Sequence, residues 1–119
     1  MKPINVISKF SQFNEKWSPR VIAKLNNQHV LLSKLEGPFI WHSHKDEDEL
    51  FYVVKGSLSI EFRDCVETLG EGDMIVVPKG VDHRPVAQKE CWVLLFEPIV
   101  TKHTGEVEHE KTVTKYHEI

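Results

Sequence analysis

The 119-residue chain has little of several features that would indicate a specialised class of protein. Its two cysteines, Cys65 and Cys91, form no Cys-x-x-Cys pair and have no histidine at a zinc-site spacing, so we expect two reduced thiols. No apolar run approaches the roughly 20 residues that cross a bilayer, and residues 1–5 lack the apolar stretch of a secretory signal. These absences predict a cytoplasmic protein without a membrane-spanning segment.

Basic charge is also not concentrated anywhere in the sequence. The chain has 15 basic and 18 acidic residues, which give a formal net charge of -3, and the basic residues are scattered. Nucleic-acid binding depends on clustered basic side chains, so a nucleic-acid partner is not expected. A chain of this length fits one domain, which buries about two thirds of the surface that the unfolded chain exposes.

Short apolar runs separated by Gly, Pro and Asn make up most of the sequence. Many short strands with almost no helix predict an all-β fold, a sandwich or barrel of antiparallel strands such as a small jelly roll. We place a break at Gly37-Pro38. The predicted strands are 20–25, 29–35, 39–44, 50–54, 57–62, 66–69, 74–77, 83–87 and 91–96, with a possible last strand at 111–116.

The N-terminal residues have a different period. Ile7, Phe10, Phe13 and Trp17 recur at three to four residues, which predicts a short amphipathic helix over about 4–16 that ends before Pro19. The apolar stripe of this helix needs a surface to cover it. We therefore expect a homodimer that pairs through the stripe and through exposed sheet edges, with packing of the stripe on its own barrel as the alternative.

These patterns divide the single domain into three parts. Residues 1–18 form an N-terminal helix or arm, and residues 19–100 form the barrel. Residues 101–119 are more polar, and we expect them to form a covering strand or an arm of the same domain.

The most informative stretch begins at His42-Ser43-His44. Two imidazoles separated by one residue on an extended segment point to the same face, so they can bind one metal ion together. Glu49 could reach the same ion if the acidic residues between them form a turn, and His83 follows the tight turn at 78–80. These residue types, imidazole and carboxylate, suit divalent first-row metals.

Several fixed spacings in this region resemble the two motifs of the cupin superfamily. Two details differ from the family pattern: four residues, where five are usual, separate Gly37 from His42, and Ala87 stands where Asn is common. The resemblance implies a jelly-roll barrel with a metal held near one mouth by His42, His44, Glu49 and His83. The matching positions are Gly37, His42, His44, Glu49, Gly56, Gly72, Pro78, Gly80 and His83.

Other polar and aromatic residues have simpler interpretations. Asp46, Glu47 and Asp48 are expected in a solvated loop rather than among the ligands, and among the aromatic residues Phe51 is the best candidate for a substrate pocket because it shares a face with Glu49. The remaining histidines are most simply surface residues, although one of them could be a proton shuttle. They are His29, His103, His109 and His117.

The expected function follows from the metal site. Four protein ligands on a six-coordinate ion leave two positions for water, dioxygen or a bidentate substrate, and iron(II), manganese, nickel and zinc all accept such ligands. We expect an enzyme that acts on a small oxygenated metabolite by oxygenation, isomerisation or lyase chemistry. The alternative is a non-catalytic module that senses or binds a small molecule, and the sequence identifies no catalytic acid or base to decide between them.

Overall fold

The structure, a computed structural model, describes residues 1–119 and contains one short helix and eight strands. Antiparallel strands wrap into a jelly-roll barrel, so the all-β prediction is confirmed. The elements are α1 (Val6–Phe10), β1 (Arg20–Leu25), β2 (Gln28–Pro38), β3 (Glu49–Lys55), β4 (Leu58–Phe62), β5 (Val66–Leu69), β6 (Met74–Val77), β7 (His83–Pro98) and β8 (His117–Glu118).

Strand β7 pairs with three other strands, β2, β3 and β4. It pairs with β2 along most of its length, while β3 and β4 follow one another along its other edge. We predicted two strands here, but residues 83–98 form one strand because the polar residues 88–90 continue the extended backbone at the surface. The predicted break at Gly37-Pro38 is also wrong, because β2 continues to Pro38 through a register shift and Gly37 adopts a φ of 80°.

The interior of the barrel is filled by fifteen buried apolar side chains. On β7 the inward positions alternate on either side of the exposed residues 88–90, with Ala87 before them and Cys91, Val93 and Leu95 after them. Both cysteines are free thiols, as expected; Cys65 is exposed, and burial raises the pKa of Cys91 to about 11. Cys91 therefore serves the core as a small apolar side chain.

The N-terminal segment differs from the prediction. Helix α1 has only five residues, and the chain then continues without helix so that Phe13 and Trp17 can also be buried. Lys34 stabilises this arrangement, because its Nζ donates to the Phe13 carbonyl at 2.7 Å and its own carbonyl accepts from the Trp17 N–H at 2.9 Å. Trp17 adopts a φ of 56°, a conformation that side-chain-bearing residues rarely adopt and that ends any helical continuation.

The apolar stripe that suggested a dimer is largely covered by the barrel itself. Phe10 stacks on Trp92 with ring centroids 4.7 Å apart, and Trp17 stacks on Phe39 at 4.6 Å. Ile7 is the member of the stripe that stays exposed. The stripe therefore gives no reason for a homodimer, which stays a prediction.

Two further segments are irregular where strands were predicted. Residues 39–44 form no strand and contact β7 through a bridge between His42 and His83 and through the Phe39 N–H, which donates to the Pro85 carbonyl at 2.9 Å. Residues 111–116 are irregular. The last strand is β8, two residues that pair in parallel with β1. No helix in the chain has the length or apolar character needed to span a bilayer.

Candidate metal centre

Two loops at one end of the barrel bring the four predicted ligands together. Backbone hydrogen bonds join His42 and His83 in both directions, at 3.0 and 2.9 Å, and the Gly80 N–H donates to the His44 carbonyl at 2.8 Å. Asp48, expected to be merely solvated, accepts the Lys79 N–H at 2.8 Å and so helps to join the loops. Because these contacts are all within the protein, the loops hold the ligand side chains in place before any ion binds.

The four side chains converge on one point. Their ligating atoms all lie within 4.8 Å of one another, and Glu49 Oε1 lies 3.5 Å from His44 Nε2 and 3.6 Å from His83 Nε2. All four residues are buried, with exposed fractions from 0 to 6 %. Glu49, and not the acidic loop residues before it, lies with the three histidines.

Backbone carbonyls fix the orientation of two imidazoles. His42 Nδ1 donates to the Ile40 carbonyl and His83 Nδ1 donates to the Val81 carbonyl, each at 2.9 Å. A ring that carries its proton on Nδ1 presents the lone pair of Nε2, and this outer hydrogen bond is typical of histidines that bind metals.

The buried polar atoms of the site lack partners. Both ring nitrogens of His44, Oε1 of Glu49 and Nε2 of His83 make no hydrogen bond. Leaving such atoms buried and unsatisfied is costly, and a divalent cation coordinated by them would remove most of that cost. Three imidazoles and one carboxylate therefore fit a first-row divalent metal, although they do not distinguish iron, manganese, nickel and zinc.

The charges within the site are also arranged for a cation. Burial opposes ionisation of Glu49, but the nearby imidazoles of His44 and His83, whose Nε2 atoms lie 3.5 and 3.6 Å from Glu49 Oε1, outweigh it and hold the pKa of the Glu49 carboxyl well below its usual range. Burial lowers the pKa of His42 to about 4, so its imidazole is neutral near pH 7. An ionised carboxylate beside a neutral imidazole is the protonation state that metal binding requires.

Glu97 is a partner of Glu49 that the sequence analysis missed. Glu97 is buried like Glu49, and its pKa is raised well above the usual range by burial and by the charge of Glu49. A protonated Glu97 can donate to one oxygen of Glu49 and leave the other free for a metal. A signal was present, because Glu97 occupies the next inward position after Val93 and Leu95.

We expect Glu97→Leu to weaken metal binding by about 10- to 100-fold, because it removes the hydrogen bond that orients a ligand. Glu97→Gln keeps an N–H donor of the same length and should bind metal almost as tightly as the parent protein. Competition with a chelator of known affinity measures both variants. Equal affinities for the Leu and Gln variants would show that Glu97 does not act on the metal through Glu49.

Next to the ligands is a small internal cavity of about 30 Å³, with room for about one or two water molecules. Phe51, predicted to line a pocket, lies in its wall together with His42 and Glu49. His103 also lies in this wall, whereas the sequence analysis placed it at the surface. The irregular segment that carries His103 has no period from which its position could be predicted.

Comparison with known proteins identifies the family of the chain. The family model described as Cupin domain matches residues 29–96, more than half of the chain. The chain belongs to the cupin family. This cupin is similar to the crystal structure of a cupin-2 domain containing protein from Shewanella frigidimarina, with 53% identity, a TM-score of 0.79, and coverage of 80% of this chain and 93% of that one.

Two other proteins are similar to part of this chain. The uncharacterized protein YdbB of Bacillus subtilis is 36% identical to this cupin over 81 residues, which cover 67% of this chain and 72% of YdbB. Acireductone dioxygenase 1 of Vitis vinifera is 32% identical over 93 residues, covering 70% of this chain. This cupin spans about half of the grapevine protein, 49% of its length.

Proposed function

We propose that this cupin is a metal-dependent enzyme that acts on a small oxygenated metabolite by oxygenation, isomerisation or lyase chemistry. The observation that carries the proposal is the convergence of four buried ligand atoms within 4.8 Å, most of them without a partner in the chain. His42, His44, Glu49 and His83 would hold the ion. When bound, a divalent metal supplies Lewis-acid polarisation or oxygen activation.

The protein's own residues would prepare the site for this chemistry. The Ile40 and Val81 carbonyls orient two of the imidazoles, and the apolar wall around Phe51 limits water next to the ligands. The similarity to acireductone dioxygenase 1 supports an oxygen-dependent reaction on a small molecule. Because this cupin spans half of that protein, we do not carry over its substrate.

The test uses the unmodified protein loaded with iron(II) without oxygen. Glycolate and catecholate are bidentate ligands, so their binding at two open positions should change the optical spectrum of the metal. Oxygen uptake and product formation are then measured across a panel of small oxygenated metabolites. A spectrum that responds to ligands without any turnover would favour a non-catalytic binding or sensor module, and a protein that takes up no metal would contradict both functions.

The occupancy of the metal site should fall as the pH is lowered, because protons compete for the ligand nitrogens. Burial opposes the charged form of His44, but the negative charge of the nearby Glu49 carboxylate outweighs it and raises the pKa of His44 above 6.5. His44 therefore accepts a proton at higher pH than His42 does. Equilibrium dialysis at a metal concentration near the dissociation constant should show occupancy falling below about pH 7, and equal occupancy at pH 8 and pH 5 would contradict imidazole ligation.

The barrel covers the N-terminal stripe, so a homodimer would need another surface, and strand β6 offers one. Strand β6 pairs only with β3, and its outward side chains Met74 and Val76 are exposed beside Tyr52. An apolar edge strand of this kind calls for covering, and two copies can pair through it symmetrically. We propose a dimer through β6, and a monomer mass in light scattering at micromolar concentration would contradict it.

A further inference from the structure

The C-terminal segment, residues 99–119, lies across the end of the barrel that carries the metal ligands. Gly105 packs against the backbone of Ser43, between the two ligand histidines, and a Cβ atom at this position would clash with the Ser43 carbonyl oxygen. Lys111 Nζ donates to the Pro38 carbonyl at 2.8 Å. These contacts fix the segment to the ligand loop, although it lies beyond residues 29–96 that match the family.

This segment places His103 beside the candidate metal centre. The His103 ring lies 5.1 Å from the Phe39 ring, and Phe39 in turn contacts His42 edge-on at 5.4 Å. The cavity that His103 lines also contains His42 and Glu49 in its wall. On its other side His103 borders an open cleft of about 660 Å³. His103 thus stands between the metal site and the solvent-filled cleft.

The hydrogen bonds of His103 determine which ring nitrogen is a donor. The Val113 N–H donates to His103 Nδ1 at 2.9 Å. Burial lowers the pKa of His103 to about 4, so the ring is neutral and its single proton lies on Nε2. Nε2 has no hydrogen-bond partner in the chain.

The cavity has few other groups that could donate to a bound molecule. Apart from His103 and the two metal ligands, its wall is apolar except for Ser33 and the indole of Trp17, whose N–H already donates to the Glu36 carbonyl. His42 and Glu49 would direct their lone pairs at the ion, and His42 Nδ1 already donates to the Ile40 carbonyl, so neither offers a donor to a substrate oxygen. A hydrogen-bond donor in the cavity wall would hold such an oxygen beside a cation.

We propose that His103 donates its Nε2–H to the acceptor oxygen of a small carboxylate or carbonyl compound bound at the metal, and so positions and selects that ligand. The inference rests on the proposed metal site. The competing possibility is a purely structural role, in which His103 matters only because its Nδ1 holds the Val113 N–H. The two roles use different ring nitrogens, so they can be separated by substitution.

The experiment compares His103→Gln with His103→Asn in the full chain loaded with cobalt(II). The Gln amide nitrogen can replace the Nε2 donor, whereas the Asn amide oxygen can replace the Nδ1 acceptor. Formate is the probe, and its dissociation constant is measured from the visible spectrum of cobalt. We expect His103→Asn to weaken formate binding by about 10-fold or more, and His103→Gln to remain within about 3-fold of the parent.

The opposite order, with the Asn variant like the parent and the Gln variant weakened, would overturn the proposal in favour of the structural role. Equal formate affinities in all three proteins would also overturn it. Cobalt content is measured first, because a parent protein that takes up no cobalt would contradict the metal site itself, whereas failure of His103 alone leaves that site intact.

A second measurement needs no substitution. In the zinc-loaded parent, addition of formate should move the NMR signal of the His103 Nε2 proton downfield and slow its exchange with water, since a charge-assisted hydrogen bond forms. An Nε2 signal unaffected by saturating formate would overturn the proposal even if the variants proved unstable.

Discussion

Replacing His44 by Ala should remove the metal from this cupin. His44 is buried, and neither of its ring nitrogens has a partner in the chain, so its place in the site is explained by an ion and not by an internal hydrogen bond. Loss of a directly bound ligand should cost more than the roughly 10- to 100-fold in affinity that loss of an outer partner costs. Elemental analysis after dialysis measures the result.

Two comparisons separate metal binding from folding. His109→Ala removes an exposed imidazole from the same chain and should keep the parent's metal content. Circular dichroism of the metal-free His44→Ala protein and the metal-free parent shows whether the variant keeps the fold, so that loss of metal is not confused with loss of structure. A His44→Ala protein as fully loaded as the parent would show that the ligand assignment is wrong.

The sequence was sufficient to predict the barrel and the grouping of the four ligands. Alternation of apolar residues fixes which side chains face inward, and the two histidines of the first motif share a face for the same reason. Strands β1 to β6 were predicted close to their observed positions, and β7 was predicted as two separate strands. The predicted strand at 39–44 was wrong, yet His42 and His44 still converge, because the loops are held by hydrogen bonds to His83 and Gly80.

The terminal segments could not be predicted, because long-range contacts determine them. A period of three to four residues in the N-terminal segment indicated a long helix, but a short helix followed by extended chain buries Phe13 and Trp17 better against β2. The position of His103 depends on the approach of Gly105 to Ser43, two residues far apart in sequence. Neither contact leaves a pattern in the local sequence.

Replacing Phe51 by Ala should lower the free energy of unfolding by about 3 to 5 kcal/mol, because it leaves a void in a closely packed core. Phe51 is 5 % exposed and lies between its cross-strand neighbours Ile75 and Leu95. Its ring also faces the ligand His83 edge-on, with centroids 6.3 Å apart. Phe51 therefore supports the core and the candidate site together, and urea unfolding of metal-free protein measures the first of these roles.

The matched control is the next residue on the same strand. Tyr52 points outward and is 37 % exposed, so Tyr52→Ala should lower the free energy of unfolding much less than Phe51→Ala does.

Phe51→Leu keeps most of the apolar volume and should lower the free energy of unfolding by less than about 1.5 kcal/mol, which allows ligand binding to be compared in a folded protein. Its metal content should equal the parent's while its affinity for glycolate falls, because only the cavity wall has changed. A Phe51→Ala protein as stable as Tyr52→Ala would contradict the packing of β3 described here, and unchanged glycolate affinity in Phe51→Leu would remove Phe51 from the proposed pocket.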